Sequence, residues 1–229
     1  MNTAVDSPYQ DKADPWSSHA VIAGWLKRFP AGTRVLDVGT ATGTIGRMCQ
    51  GSNFTLDGLE PNAEWAQLAR PYYHQIIVGM LDDAPDTFLA GHGVVILADV
   101  LEHMPAPEKA LQRLAALQPT DAVFLVSVPN VANLWVRLNL LFGRFDYTEH
   151  GILDRTHLRF FTRKTFLQLV DAAGLKVQRM HVTTIPLTLV SPFFEKNPAG
   201  RFVHRALAAA TQTFPTLLGY QFLAELDKK

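Results

Sequence analysis

The chain has little cysteine and no surplus of charge. Cys49 is the single cysteine among 229 residues, which excludes an intramolecular disulfide framework and fits a reducing, cytoplasmic setting. Lysine plus arginine number 21 and aspartate plus glutamate 21. That balance argues against a nucleic-acid backbone as the main partner, because such proteins carry excess positive charge to neutralise phosphates. No apolar run reaches the ~18 residues of a transmembrane helix. The start, Met1-Asn2-Thr3-Ala4-Val5-Asp6, lacks both a basic region and an apolar core, so no signal peptide is expected. What the chain does have is 48% hydrophobic residues, enough for one well-packed α/β domain with a cap and short for two independent domains.

Residues 1–30 read as a polar arm over 1–15, with Pro8 and Pro15, and then a helix over Ala20–Phe29 that Pro30-Ala31-Gly32 ends. Residues 31–229 read as the main domain. Strands are expected at 34–38, 54–60, 75–79, 93–98 and 122–128, with helices near 43–50, from 61 and over 107–117. Gly93-Val94-Val95-Ile96-Leu97-Ala98 is continuously apolar, as a strand covered on both faces must be. This alternation predicts a parallel sheet with helices on both faces, whose ligands bind outside the carboxyl ends of the strands. The pattern breaks over 131–160, which reads as a cap insertion after the fifth strand. A helix from Thr162 to Ala173, a strand over 176–183, a helix over about 201–213 and a last strand near 220–224 follow.

The most informative segment is Val35–Gly46. A buried strand runs into a turn punctuated by Gly39 and Gly43, whose missing Cβ atoms let backbone approach a ligand. Ala41 takes the middle glycine position of the G-x-G-x-x-G fingerprint. Asp37 precedes the turn, where it repels a pyrophosphate and suits a cation such as an amino acid's ammonium. Glu60 ends the second strand at the interval where a carboxylate accepts both hydroxyls of a ribose. A tight turn or a solvated acid alone is commonplace; together they favour a nucleoside-bearing ligand.

After the fourth strand comes Asp99-Val100-Leu101-Glu102-His103-Met104-Pro105. One reading makes Asp99 a helix N-cap with Glu102 completing a capping box. The other makes it a chemical site, with His103 as a base near neutral pH and oxygen and nitrogen donors suited to a metal.

The run Asp37-Val38-Gly39-Thr40-Ala41-Thr42-Gly43 after a first strand resembles motif I of class I S-adenosylmethionine (SAM) methyltransferases. The block Asp99–Pro105 resembles the post-strand-4 motif of ubiquinone-pathway O-methyltransferases. It is also similar to small-RNA ribose 2′-O-methyltransferases, in which an E-x-x-E-H motif and a later histidine hold a divalent ion. Ser127–Tyr147 and Gly151–Arg163 look like a bacterial methyltransferase group of polysaccharide and secondary-metabolite pathways. The resemblance implies a Rossmann-like α/β fold with a seven-stranded, mostly parallel sheet and a cap. It implies SAM as cofactor, with Asp37, Gly39, Thr40, Ala41 and Gly43 at the methionine part and Glu60 and Pro61 at the ribose. Gly79, Met80 and Leu81 would face the adenine, and Ala98, Asp99 and Val100 would complete the cofactor site. His103 and His157 would be catalytic, and Asp99, Glu102, His103 and His157 a candidate Mg²⁺ set in which Asp99 replaces the RNA enzymes' glutamate.

The expected activity is therefore O-methylation of a small-molecule hydroxyl: a secondary metabolite, sugar or quinone-like acceptor. Its rivals are a metal-dependent RNA ribose 2′-O-methyltransferase, disfavoured by the charge balance, and a non-catalytic SAM-binding module. The apolar stretches 134–142 and 214–224 leave peripheral membrane contact open, although Trp135, Leu138, Leu141 and Phe142 read first as an ordinary amphipathic cap helix. Arg155 and Arg159 either meet an anionic substrate group or pair with Asp154 or Glu149, and Phe145 and Tyr147 either contact substrate or anchor their loop.

Overall fold

The computed structural model describes residues 14–229, so the arm expected over 1–15 falls almost wholly outside the described residues. Seven strands form one sheet: β1 (Arg34–Val38), β2 (Thr55–Glu60), β3 (Gln75–Val78), β4 (Val94–Ala98), β5 (Val123–Pro129), β6 (Leu175–Val182) and β7 (Gln221–Lys228). Their order is β3-β2-β1-β4-β5-β7-β6. The first five pair in parallel, while β7 runs antiparallel to both β5 and β6. The fold class expected from the sequence is thus the one observed.

Strand alternation builds two cores. Leu36, Val38, Val95, Leu97, Phe124 and Val126 point to one face, covered by α4 (Asp86–Leu89), α5 (Pro107–Leu117) and α7 (Arg163–Ala172). Val35, Val94, Ile96 and Leu125 point to the other, covered by α1 (Ser18–Leu26), α2 (Thr44–Met48) and α3 (Ala63–Ala69). Local signals start these helices: Ser17 caps α1, Asn62 caps α3, and Thr162 with Thr165 forms a capping box on α7.

Between β5 and α7 the chain forms α6 (Leu134–Leu141) and a loop. Between β6 and β7 it forms α8 (Leu187–Val190), α9 (Phe193–Lys196), α10 (Pro198–Thr213) and α11 (Pro215–Leu218). Because β5 and β6 both oppose β7, they run the same way, and both excursions leave from the carboxyl edge of the sheet. The sequence missed the short α4, α8, α9 and α11, and the expected strand near 220–224 is only the first half of β7. Phe222, Leu223 and Ala224 are fully buried between β5 and β6, so this part of the 214–224 stretch cannot reach a membrane. At the opposite, amino edge, Asp57 is held by Arg34 at 3.0 Å, His74 at 3.0 Å and His92 at 3.1 Å.

Candidate active site

A cavity of about 570 Å³ opens at the carboxyl edge, where β1 and β4 send their connections to opposite faces. Gly39, Ala41, Glu60, Pro61, Gly79, Met80, Leu81, Ala98, Asp99 and Val100 line it, as do Glu102, His103 and His157. Of the residues singled out in the sequence, Asp37, Thr40 and Gly43 are not among its described lining residues.

The turn after β1 has a stronger reason for its glycines than ligand approach. Gly39 and Gly43 adopt positive φ of 78° and 86°. A Cβ on Gly39 would lie 2.7 Å from Val100 Cγ2, and one on Gly43 would lie 2.9 Å from Ala69 Cα. The protein's own packing, then, already demands both. Ala41 sits between them at φ 46°, and its N–H donates to Glu60 Oε2 at 2.8 Å. Asn62 N–H holds Glu60 Oε1 at 2.9 Å. These bonds leave each oxygen a second lone pair for a ligand hydroxyl. Burial raises the Glu60 pKa against them. Asp37 is buried and accepts a 2.5 Å hydrogen bond from Tyr73 Oη. Burial pushes its pKa up to about 7, with the Tyr73 bond opposing and Glu60 reinforcing the rise.

Asp99 occupies left-handed backbone, φ 58°. Its Oδ1 accepts from Ser127 Oγ at 2.6 Å and its Oδ2 from Ser18 Oγ at 2.9 Å, so α1 is latched to the end of β4. The capping-box reading fails, because Leu101–His103 forms a single 3-10 turn with no side-chain cap. Three of the four residues expected to hold a metal come together. Among the described residues, Glu102, His103 and His157 bring ligand atoms within 4.8 Å of one another, and Asp99 is not in the group. Two imidazoles and one carboxyl suit borderline transition ions, whereas Mg²⁺ takes oxygen ligands, so the donors do not fit Mg²⁺.

The hydrogen bonds around this group assign its protons. His157 Nδ1 lies 3.1 Å from the Ile152 carbonyl, which can only accept, so Nδ1 carries hydrogen and Nε2 keeps its lone pair. Burial, and then His103, lower the His157 pKa and keep the ring neutral. His103 Nδ1 contacts the Thr156 carbonyl at 3.3 Å and the Thr156 hydroxyl at 3.2 Å. That hydroxyl donates to Asp154 Oδ1 at 2.6 Å. The two imidazole rings meet edge to face, 4.8 Å apart. Glu102 is buried with neither carboxyl oxygen hydrogen-bonded. Burial, then the charges of Asp99 and Asp154, raise its pKa well above the ordinary carboxylate value and favour its protonated form.

His19, Trp65, His150, Asp154, Pro186, Leu189 and Tyr220 also line the cavity, and the sequence reading passed over all of them as cavity residues. Asp154-Arg155-Thr156 carried a readable signal: an acid accepting from the N–H two residues on, here at 2.8 Å. Arg155 pairs with Glu149 at 2.5 Å, and Phe145 packs edge-on against Tyr147 and Phe160, so these side chains anchor the cap.

A family model described as a methyltransferase domain matches residues 17–179, from the cap of α1 into β6. The chain belongs to this methyltransferase family. It is a SAM-dependent enzyme of the Rossmann-like class. This methyltransferase is similar to the ubiquinone biosynthesis O-methyltransferase of Pectobacterium atrosepticum, 26% identical over 73% of this chain and 71% of that protein. The fold is shared with a SAM-dependent methyltransferase from Archaeoglobus fulgidus: TM-score 0.59, 16% identity, covering 92% of this chain and 94% of that one. It is shared too with magnesium protoporphyrin IX methyltransferase from Synechocystis bound to SAH: TM-score 0.61, 14% identity, covering 93% and 82%.

Proposed function

We propose that this enzyme methylates a hydroxyl of a small-molecule acceptor, with His103 and His157 as its proton-handling residues. The observation that carries the reading is the opening of two imidazoles and the buried Glu102 onto the same cavity as the Glu60 carboxylate. SAM supplies an electrophilic methyl group. Glu60, held by Ala41 and Asn62, accepts the ribose hydroxyls, with the Gly39–Gly43 turn beside it. An acceptor hydroxyl at the imidazoles would give its proton to a free Nε2 as its oxygen bonds the methyl carbon and the donor's carbon–sulfur bond breaks, the sulfur leaving as a neutral thioether. Ile152 and Thr156 fix the ring orientations, so alignment is set before the acceptor arrives. The relatives named ubiquinone biosynthesis O-methyltransferase support oxygen as the acceptor atom and a quinone-like hydroxyl among the candidates. The buried, unpaired Cys49 supports a cytoplasmic setting.

Titration with SAM and transfer of labelled methyl to a panel of phenolic and sugar hydroxyls test this. His103→Asn and His157→Asn should each lower turnover by roughly 10²–10⁴ with SAM affinity retained. Glu60→Gln should weaken SAM binding instead. Full turnover in both histidine variants would sink the proposed roles.

A further inference from the structure

We propose that α6, together with the α8–α10 excursion, docks this enzyme on the surface of an anionic phospholipid bilayer. The inference stands apart from the methyl-transfer reading and does not rest on it. Its first ground is that α6 faces the wrong way for a helix that only covers the fold. At 100° per residue, Leu134, Trp135, Leu138, Leu141 and Phe142 fall within an arc of about 120°. That arc points outward: Trp135 is 49% exposed, Leu138 48%, Leu141 76% and Phe142 74%. Val136, on the opposite side, is fully buried against Ile152 and Leu153 and anchors the helix to the cap.

The second ground is location. Of the 18 large hydrophobic residues exposed among the described residues, 14 lie in 134–147 or 189–214. Both segments leave from the carboxyl edge of the sheet, where the cavity opens, and Leu189 of α8 is itself a cavity-lining residue. Val190, Phe193, Phe202 and Val203 extend the exposed apolar surface along α8 to α10.

Charge chooses the occupant. Over 134–147 and 187–214 the chain carries Arg137, Arg144, Lys196, Arg201 and Arg205 against the two acids Asp146 and Glu195, in a protein whose net charge is zero. Apolar side chains among arginine and lysine match a bilayer interface with acidic headgroups. A second copy of the chain fits less well, because a two-fold contact would set these cations against themselves.

Co-sedimentation of the full chain with vesicles tests the proposal, using phosphatidylcholine alone and phosphatidylcholine mixed equally with phosphatidylglycerol. Binding to the mixed vesicles should exceed binding to the neutral ones by roughly ten-fold and weaken in high salt. The triple variant Leu138→Ser, Leu141→Ser, Phe142→Ser should lose most of that binding while its SAM titration is unchanged. Arg144→Glu with Arg205→Glu should abolish the preference for anionic vesicles, and this pair serves the same purpose if the triple variant misfolds. Absence of the full chain from both pellets, or undiminished binding in the variants, overturns the proposal. So does light scattering that finds a dimer dispersed by the triple substitution without vesicle binding.

Discussion

Asp37 is an acid kept from water. Its pKa of about 7 reflects burial first, which the hydrogen bond from Tyr73 only partly offsets. A carboxyl whose pKa rises on folding favours the folded state fully below its unfolded pKa, about 4, and that contribution is lost as pH climbs to about 7. Asp37→Asn removes the titration while keeping an acceptor for Tyr73. The Asn variant should therefore gain stability relative to the parent by up to about 1.4 kcal/mol per pH unit across that window. Urea unfolding at several pH values measures this, and a difference that does not change with pH would refute it. Glu102 is the companion case, an acid whose pKa burial raises well above the ordinary carboxylate value. Its place beside the two imidazoles puts a carboxyl group next to ring nitrogens in the same cavity.

At the scale of elements, the β1–α2 turn is over-determined. Gly39 combines a left-handed backbone with a Cβ position already occupied by Val100. Gly39→Ala should lower the melting temperature by several degrees, since the left-handed conformation alone costs about 1–2 kcal/mol and the contact adds to it. Adding Val100→Ala should restore only part, because the backbone penalty stays. Full recovery in a thermal melt would show that the contact was the whole cost. This turn was legible in the sequence because strand, glycines and helix start are adjacent, and β4 was legible from its unbroken apolar run. β7 was half-read, since its far end, Glu225-Leu226-Asp227-Lys228, looks like a solvated tail until β5 and β6 flank it. The latch from Ser18 to Asp99, and the approach of His157 to His103, span 81 and 54 residues of chain. No local pattern carries such distances. Tertiary packing supplied them, and it also turned Asp99 toward Ser18 and Ser127 and left it outside the group of Glu102, His103 and His157.

For the whole molecule, the cavity joins residues from α1, the β1, β2, β3 and β4 ends, the cap and α8. A ligand filling it ties these parts together, so SAM at about 100 times its dissociation constant should add about 2.7 kcal/mol of stability. For a chain of this size that is a rise of roughly 5–11 °C in melting temperature, measurable by scanning fluorimetry. No rise at saturating SAM would contradict the cofactor assignment. The far edge responds to acid instead. Burial alone would raise the Asp57 pKa, but bonds from His74, His92 and Arg34 bring it below the usual value. That stabilisation is present above the unfolded pKa and disappears as pH falls through the lower folded one.

The position of β7 bears on how the molecule comes to exist during synthesis. β6, at the sheet's edge, leaves the ribosome before its neighbour β7, which is made some forty residues later. Until then β5 offers an open edge to any passing strand. Closure of the sheet is thus a late, long-range event, and the interval is the period in which the nascent chain is most prone to mispairing.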